Sequence, residues 1–421
     1  MAASDSVSQI PGITKAHAPM NILMLHNSYQ FFGGEDESFA AEVRMLTDAG
    51  HFVDTIHVKN ENVEGLKAVN VALQSIWSKP SYDLVDQKLR ARTFDVLHVQ
   101  NFYPLLSPSV YSAAKKNRVP VVQTLRNYRL LCPSTVLYRD GHVCQECLHK
   151  TVKWPGALHA CYRGSILSSA ATAAMTAFHT VRGTWHRDVD LYISLTEFSR
   201  QKFIEGGIAP EKIIVKSNFV YPDPGLGDGS GDYLLFAGRF TQEKGIETLL
   251  SAWERVKLPG RLKIVGEGPL APRIESFCRA HPNVEWLGQK SSVDVKELMG
   301  AASALVFPSE WYEPFGRVAI ESFAKGTPVI ASRIAGLAEM VRDMETGLHF
   351  RPGDSQDLAA KLDWALEHPA QMRAMRPAAR RCYESTYTAA ENCRVLIRAY
   401  HKARQTFHVA NEPCVSFSST N

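Results

Sequence analysis

The sequence predicts an α/β protein of two domains, and three observations carry that expectation. Short apolar runs of strand character alternate with segments of helical apolar periodicity along almost the whole chain. With 421 residues and 45% hydrophobic content, each of two domains can bury its own core. Between them the run PDPGLGDGSGD, residues 222–232, is so rich in Gly, Pro and Asp that it reads as a linker.

The leader MAASDSVSQIPGITKAHAP has no continuous apolar core, which argues against a secretory signal and for a cytoplasmic protein. Residues 1–18 are expected to be disordered, and the first domain to span 19–221. Its first strand is NILMLH, 21–26, which runs into a segment where Gly33-Gly34 opens a helix ending near Gly50. A glycine pair there permits close backbone approach to a phosphate, although many such glycines only make turns. Further strands are FDVLHVQ (94–100), VPVVQTL (119–125) and DLYISL (190–195), the last followed by a helix beginning TEFSRQKFIEGG. The triplet Asp188-Val-Asp190 precedes that strand at its N-terminal end, away from the ligand side of such sheets, and reads as a turn rather than a metal-binding DxD. The run SILSSAATAAMTAFHTV, 165–181, comes nearest to a membrane span, but it is rich in Ala and Ser and broken by His179, so a packed helix is expected.

The second domain, expected over 233–385, opens with the strand YLLFAG, 233–238. The strand feeds Arg239-Phe-Thr-Gln-Glu-Lys244-Gly245 and then the helix IETLLSAWERV, which sets two cations at the C-terminal edge of a sheet, where open α/β sheets bind ligands. Next come LKIVGEGPL, 262–270, a strand ending in a glycine turn at Gly266, and ALVFPSEWYEPFG, 304–316. That third strand delivers Glu313, eight positions before Glu321, with Pro314 and Gly316 marking the start of a helix. At ~1.5 Å per residue the two acids would lie ~12 Å apart. Carboxylates that flank one glycosidic bond are ~5 to 9.5 Å apart, so these would instead grip two ends of one long ligand. The amides of Phe315 and Gly316, at a helix N-terminus, would seat a phosphate between them. The ligand implied is sugar, diphosphate, nucleoside; the bland alternative is a solvated surface pair.

Taken together, GRFTQEKGIETLL, VGEGPL and FPSEWYEPFGRVAIESFAKGTPVIAS resemble the donor domain of the retaining glycosyltransferases of sequence family four, the glycosyl transferases of group 1. The likeness runs over roughly residues 21–405. It implies the GT-B fold, two Rossmann-like domains facing across a cleft, with an acceptor-side N-terminal domain, a C-terminal nucleotide-sugar donor domain, and a final helix, 386–405, crossing back to the first; a disordered tail, 406–421, would follow. It also implies hexosyl transfer from a UDP- or GDP-sugar with retention. On this resemblance Glu313 would contact the donor sugar hydroxyls, Glu321 the ribose, and Arg239 and Lys244 the diphosphate. The Gly33-Gly34 loop would border the diphosphate from across the cleft. With two cations there, no cofactor is required for catalysis. One departure stands out: where many members carry a His after the strand VPVVQTL, this chain has Arg126-Asn127 on the acceptor side. Arg126 could stabilise the leaving phosphate as a fixed charge; His26 and His98, both at strand ends, are alternatives for assisting the acceptor. A nucleotide-sugar epimerase and a non-catalytic donor-binding subunit of a synthase complex remain as rival readings.

Net charge is only +4, but from Lys115 to Arg163 nine Lys or Arg residues face only Asp140 and Glu146. A solvated loop face would explain this band. The sharper reading is a glycan or lipid-linked anionic acceptor met by a protein peripheral on the inner face of the membrane, in cell-surface polysaccharide synthesis. No nucleic-acid recognition motif accompanies the charge. The same band holds Cys132, Cys144, Cys147 and Cys161 in the pattern C-x11-C-x2-C-x13-C, which can make a structural, non-catalytic zinc site, with His142, His149 or His159 as substitute ligands. Reduced packing cysteines are the next reading, and disulfides the last.

Overall fold

The computed structural model describes residues 18–28, 33–59 and 68–411. The leader through residue 17 and the tail from 412 lie outside them.

The first domain runs β1 (Asn21–Ser28), α1 (Gly34–Asp48), β2 (Phe52–Lys59), α2 (Ala68–Ile76), α3 (Lys79–Ala91), β3 (Val96–Asn101), α4 (Ser109–Lys116), β4 (Val121–Leu125), the two-residue strands β5 (Tyr138–Arg139) and β6 (His142–Val143), α5 (Trp154–Leu158), α6 (Ile166–Arg182), α7 (Thr184–Arg187), β7 (Leu191–Ser194), α8 (Glu197–Glu205) and β8 (Ile213–Val215). Six of these strands form one sheet in the order β2-β1-β3-β4-β7-β8, every pairing parallel. Its central strands read as continuous apolar runs because both faces are covered. Leu23, Leu25, Leu97 and Val99 enter a core with Val85 of α3 and Val110 of α4. Ile22, Met24, Val96 and Val122 point the other way, onto Met45 and Leu46 of α1.

The second domain repeats the plan. It contains β9 (Tyr233–Ala237), α9 (Ile246–Trp253), β10 (Arg261–Val265), α10 (Ala271–Ala280), β11 (Val284–Trp286), α11 (Ser292–Ala301), β12 (Ala304–Phe307), α12 (Arg317–Ala324), β13 (Val329–Ser332), α13 (Ala335–Met340), β14 (Gly347–Phe350), α14 (Ser355–Glu367) and α15 (Pro369–Thr386). Its parallel sheet has the order β11-β10-β9-β12-β13-β14. Phe236, Ile264 and Val306 face α9 and α14, while Leu235, Leu305 and Val329 face α12 and α15. The expected strands therefore stand in place within a residue or two, and β2, β8, β11, β13 and β14 are added at or near the sheet edges.

Two details differ from expectation. The linker is not a free tether: the amides of Gly227, Gly229 and Gly231 donate to the carbonyls of Lys325, Gly300 and Ala301, and Arg380 pairs with Asp223. It lies along the second domain, and the crossing between domains narrows to Val220, bridged to Thr388. The final helix, α16 (Ala389–Asn411), continues past residue 405, so 406–411 are helical rather than tail. Leu396, Ile397, Tyr400 and Ala403 of α16 sit in the first domain's core, against the same sheet face as α1.

Candidate functional site

Both sheets aim their C-terminal strand ends at the cleft. After β9 the chain passes Gly238 and Arg239 into a single 3-10 turn, Gln242–Lys244. After β10, Gly266 adopts φ +136°, and a Cβ there would meet the Gly238 carbonyl at 1.9 Å, so the two loops touch backbone to backbone. After β12 the chain makes an irregular turn to Gly316, which caps α12 in the left-handed conformation, φ +77°. Glu313 thus lies in the turn, not in the first helical turn, and the ~12 Å separation based on helical rise does not apply to it.

Glu313 and Lys244 were expected to hold different parts of one ligand; the structure joins them. Lys244 Nζ donates to Glu313 Oε2 at 2.6 Å, and the same oxygen accepts from Trp311 Nε1 at 3.0 Å and Ser309 Oγ at 3.2 Å. Both side chains are largely buried, with Lys244 also 5.2 Å from the Trp311 ring centroid. Arg239 instead projects into solvent, 73% exposed, with a long ion pair to Glu243 at 3.9 Å. Phe315 turns its ring into the core against Tyr387, so what it can offer a phosphate is its backbone.

Glu321 sits one turn into α12, buried, where its Oε1 accepts from Arg317 Nε at 3.0 Å. Burial pushes its carboxyl above the usual range, against the pull of Arg317. Arg317 then crosses the cleft. Its Nη1 donates to the Gly34 carbonyl at 3.2 Å and Ser38 Oγ at 3.1 Å, and its Nη2 pairs with Glu37 Oε2 at 3.0 Å. Two helix N-termini therefore confront each other, and α1 carries Glu35, Asp36 and Glu37 in its first turn. In the Gly33-Gly34 loop, expected to border the diphosphate, the Gly33 amide is bonded to Asp36 Oδ2 at 3.0 Å and the Gly34 carbonyl receives Arg317. Asp36 is held below the usual carboxyl range; burial opposes this, but hydrogen bonds to His26, Ser28 and the Gly33 amide win. Sequence reasoning missed Arg317 as a site residue, although it stands inside the quoted motif, four positions before Glu321.

Arg126 is likewise not on the cleft wall. Its side chain is 3% exposed, and Nε, Nη1 and Nη2 donate to Gln100 Oε1 (2.6 Å), Asn218 Oδ1 (2.9 Å) and Glu42 Oε2 (3.2 Å). All three nitrogens are spent on the first domain's own interior. Glu42 also makes an ion pair with Lys216 at 3.0 Å that lacks hydrogen-bond alignment. Burial works against the Glu42 charge, but Lys216, His98 and Arg126 bring it down to about 2. His98 belongs to the same interior, bonded to the Tyr400 hydroxyl of α16 at 2.7 Å and to Thr124 at 2.8 Å, and burial lowers it to about 4. His26 is buried against Phe39 and bonded to Asp36 at 2.9 Å. Asn127 does reach the lip, donating to Glu35 Oε1 at 3.3 Å.

The cysteine-bearing loop reaches over the second domain. The Tyr138 hydroxyl meets Glu310 at 3.5 Å, and Gln145 donates to the Tyr312 hydroxyl at 3.4 Å. Burial and the Glu310 charge raise Tyr138 to about 12. Cys132, Cys144, Cys147 and Cys161 are free thiols brought to one region, where burial, with Cys132 adding to it, raises Cys147 to about 11. Among the described residues no three of their sulfurs lie within 4.8 Å of one another; the trio of possible metal ligands that does is His26, Asp36 and His57. Asp190, read as part of a turn, anchors the strand starts through Lys115 at 2.6 Å and the Val121 amide at 2.7 Å.

Two family models divide the chain: glycosyl transferases group 1 over residues 225–382, and glycosyl transferase 4-like domain over 39–218. A 42.6 kDa protein in the cps region of Klebsiella pneumoniae is 26% identical over 77% of this chain and 88% of its own length. The glycogen synthase of Mycobacterium tuberculosis is 36% identical over 160 residues, 37% of this chain and 38% of that protein. Several other curated relatives are likewise spanned for less than half their length. In structure the chain is similar to HepE of Anabaena in complex with UDP (TM-score 0.66, 16% identity, 91% of this chain, 100% of that one). It is similar in the same degree to sucrose-phosphate synthase of Thermosynechococcus elongatus (TM-score 0.66, 19% identity, 91% and 100%). The fold is GT-B, and the chain belongs to the group 1 glycosyltransferases of the family-four type. It is a glycosyltransferase.

Proposed function

We propose that this glycosyltransferase moves a hexosyl unit from a UDP- or GDP-sugar to a hydroxyl of a glycan or lipid-linked acceptor, with retention and without a catalytic metal, in cell-surface polysaccharide synthesis. The observation that carries the reading is the convergence of Lys244-Glu313 and Arg317-Glu321 on the C-terminal ends of β9 and β12. On this reading the donor sugar meets Glu313, the ribose meets Glu321, and the diphosphate lies between, against the amides that begin α12. As the anomeric bond breaks, charge grows on the leaving phosphate. Lys244, drawn off Glu313, and the exposed Arg239 would stabilise it, and the leaving phosphate would take the acceptor proton. The cps-region setting of the Klebsiella relative supports the polysaccharide assignment.

The test is release of nucleoside diphosphate from a panel of UDP- and GDP-sugars, with and without EDTA. Release from one donor, insensitive to EDTA and lost in Glu313→Ala, is expected; no release from any donor, with no binding, would overturn the reading. A structural zinc is proposed separately: on binding, it would draw the four cysteines together and stiffen the loop that meets Glu310 and Tyr312. Co2+ added to reduced protein should then give thiolate-to-metal absorption that Cys147→Ser abolishes; no such band would end that proposal.

A further inference from the structure

Helix α6 is apolar on the side that faces water. Leu167, Ala170, Ala174, Phe178 and Val181 recur at helical spacing along one stripe of it. Leu167 is 55% exposed, Phe178 45% and Val181 82%, while the opposite side, Ala171, Met175 and His179 among it, is buried. At ~1.5 Å per residue such a helix is roughly 25 Å long, so this is an extended surface rather than a stray side chain. The helices packed against α6 continue it: α5 exposes Trp154 and Leu158, and α2 exposes Leu73.

Along this stretch of the chain the charge has one sign. From residue 147 to residue 187 the chain has no Asp or Glu and five Lys or Arg. Four of these, Lys150, Arg163, Arg182 and Arg187, are exposed, and Lys150 lies 5.5 Å from the Trp154 ring. A second copy laid on this face would set these cations against their own kind. An anionic bilayer satisfies both features, since apolar side chains enter the acyl boundary while cations meet headgroups. No described helix is long and apolar enough to cross a membrane, so α6 can lie on one but not span it.

We propose that the outward face of α6, continued by α5 and α2, is a membrane-interfacial surface that seats the first domain on an anionic bilayer. This deepens the proposed function, because it rests the acceptor domain where a lipid-linked acceptor is found, and it replaces the broad basic band with a defined face.

Flotation with vesicles tests it in the absence of donor and acceptor, so that failure of the transferase reading leaves the result interpretable. The protein should float with phosphatidylcholine vesicles containing 30% phosphatidylglycerol, and at least tenfold less with pure phosphatidylcholine or in 0.5 M NaCl. The double variant Leu167→Glu, Val181→Glu should lose at least tenfold of that binding, with its melting temperature and donor hydrolysis unchanged. Arg163→Glu with Arg182→Glu should lose it too. Absence of flotation, or flotation indifferent to both variants, overturns the proposal; so does a concentration-dependent dimer that the apolar double variant abolishes.

Discussion

Lys244 Nζ lies 2.6 Å from Glu313 Oε2, so the cation expected on the diphosphate and the acid expected on the sugar hold each other across two loops. Substrate binding would have to exchange this contact for two others. Lys244→Ala should therefore lower kcat about 10²- to 10³-fold, the usual scale for removing a group that meets developing charge. Lys244→Arg should recover only part of it, because a planar fork replaces a point charge. Rates of donor hydrolysis measured beside thermal melts check this. A loss of stability matching the loss of rate would make the pair structural.

Arg317→Ala would strip Glu321 of its partner and unhook α12 from Gly34, Ser38 and Glu37. Because burial already raises the Glu321 carboxyl, the variant should bind donor more weakly, most of all on the acid side of neutrality. It should also destabilise the fold by about 1.5–3 kcal/mol, the scale of hydrogen bonds to charged groups. Urea midpoints would report the second effect. Hydrogen exchange in the first turn of α1 should quicken in the variant and stay slow in Arg317→Lys.

Acid should destabilise the fold through the buried network of the first domain. Glu42 is lowered from its usual value of 4.5 to about 2, so the stability it contributes is present above pH 4.5 and lost as pH falls towards 2. By linkage that is about 3 kcal/mol. His98 is lowered from 6.5 to about 4; being held neutral, it too contributes above pH 6.5 and loses that contribution as pH falls through 4. Chemical denaturation from pH 7 to pH 3 should show stability falling across the whole range. In His98→Gln the fall between pH 6.5 and 4.5 should flatten.

The sheets were legible because strand pattern is local: YLLFAG and ALVF announce β9 and β12 by themselves, and so do the glycine turns that follow. Glu313, Lys244 and Arg239 could be named for the same reason, since each sits a few residues past a strand end, and Glu321 by its spacing from Glu313. Arg126 could not be placed. It follows a strand as Arg239 does, but whether a side chain leaves toward the cleft or toward Glu42 depends on residues 84 positions earlier and 92 later. Arg317 lay in plain sight, yet its spacing to Glu321 predicts only an i,i+4 helix pair. That its remaining nitrogens reach α1 follows from how two domains meet, which sequence periodicity does not encode.

The passage of α16 back to the first sheet fixes an order of assembly during synthesis. Tyr400, Leu396 and Ala403 close one side of a core begun by Ile22 and Met24. While the ribosome is still making residues 233–385, the first domain has emerged but lacks that wall, and an apolar sheet face stands open to solvent. The second domain is under no such constraint, because its two cores are built from residues 195–387. The half of the chain made first is thus the half completed last, and a nascent chain arrested before residue 389 should bind chaperones through its N-terminal domain and release them once α16 has emerged.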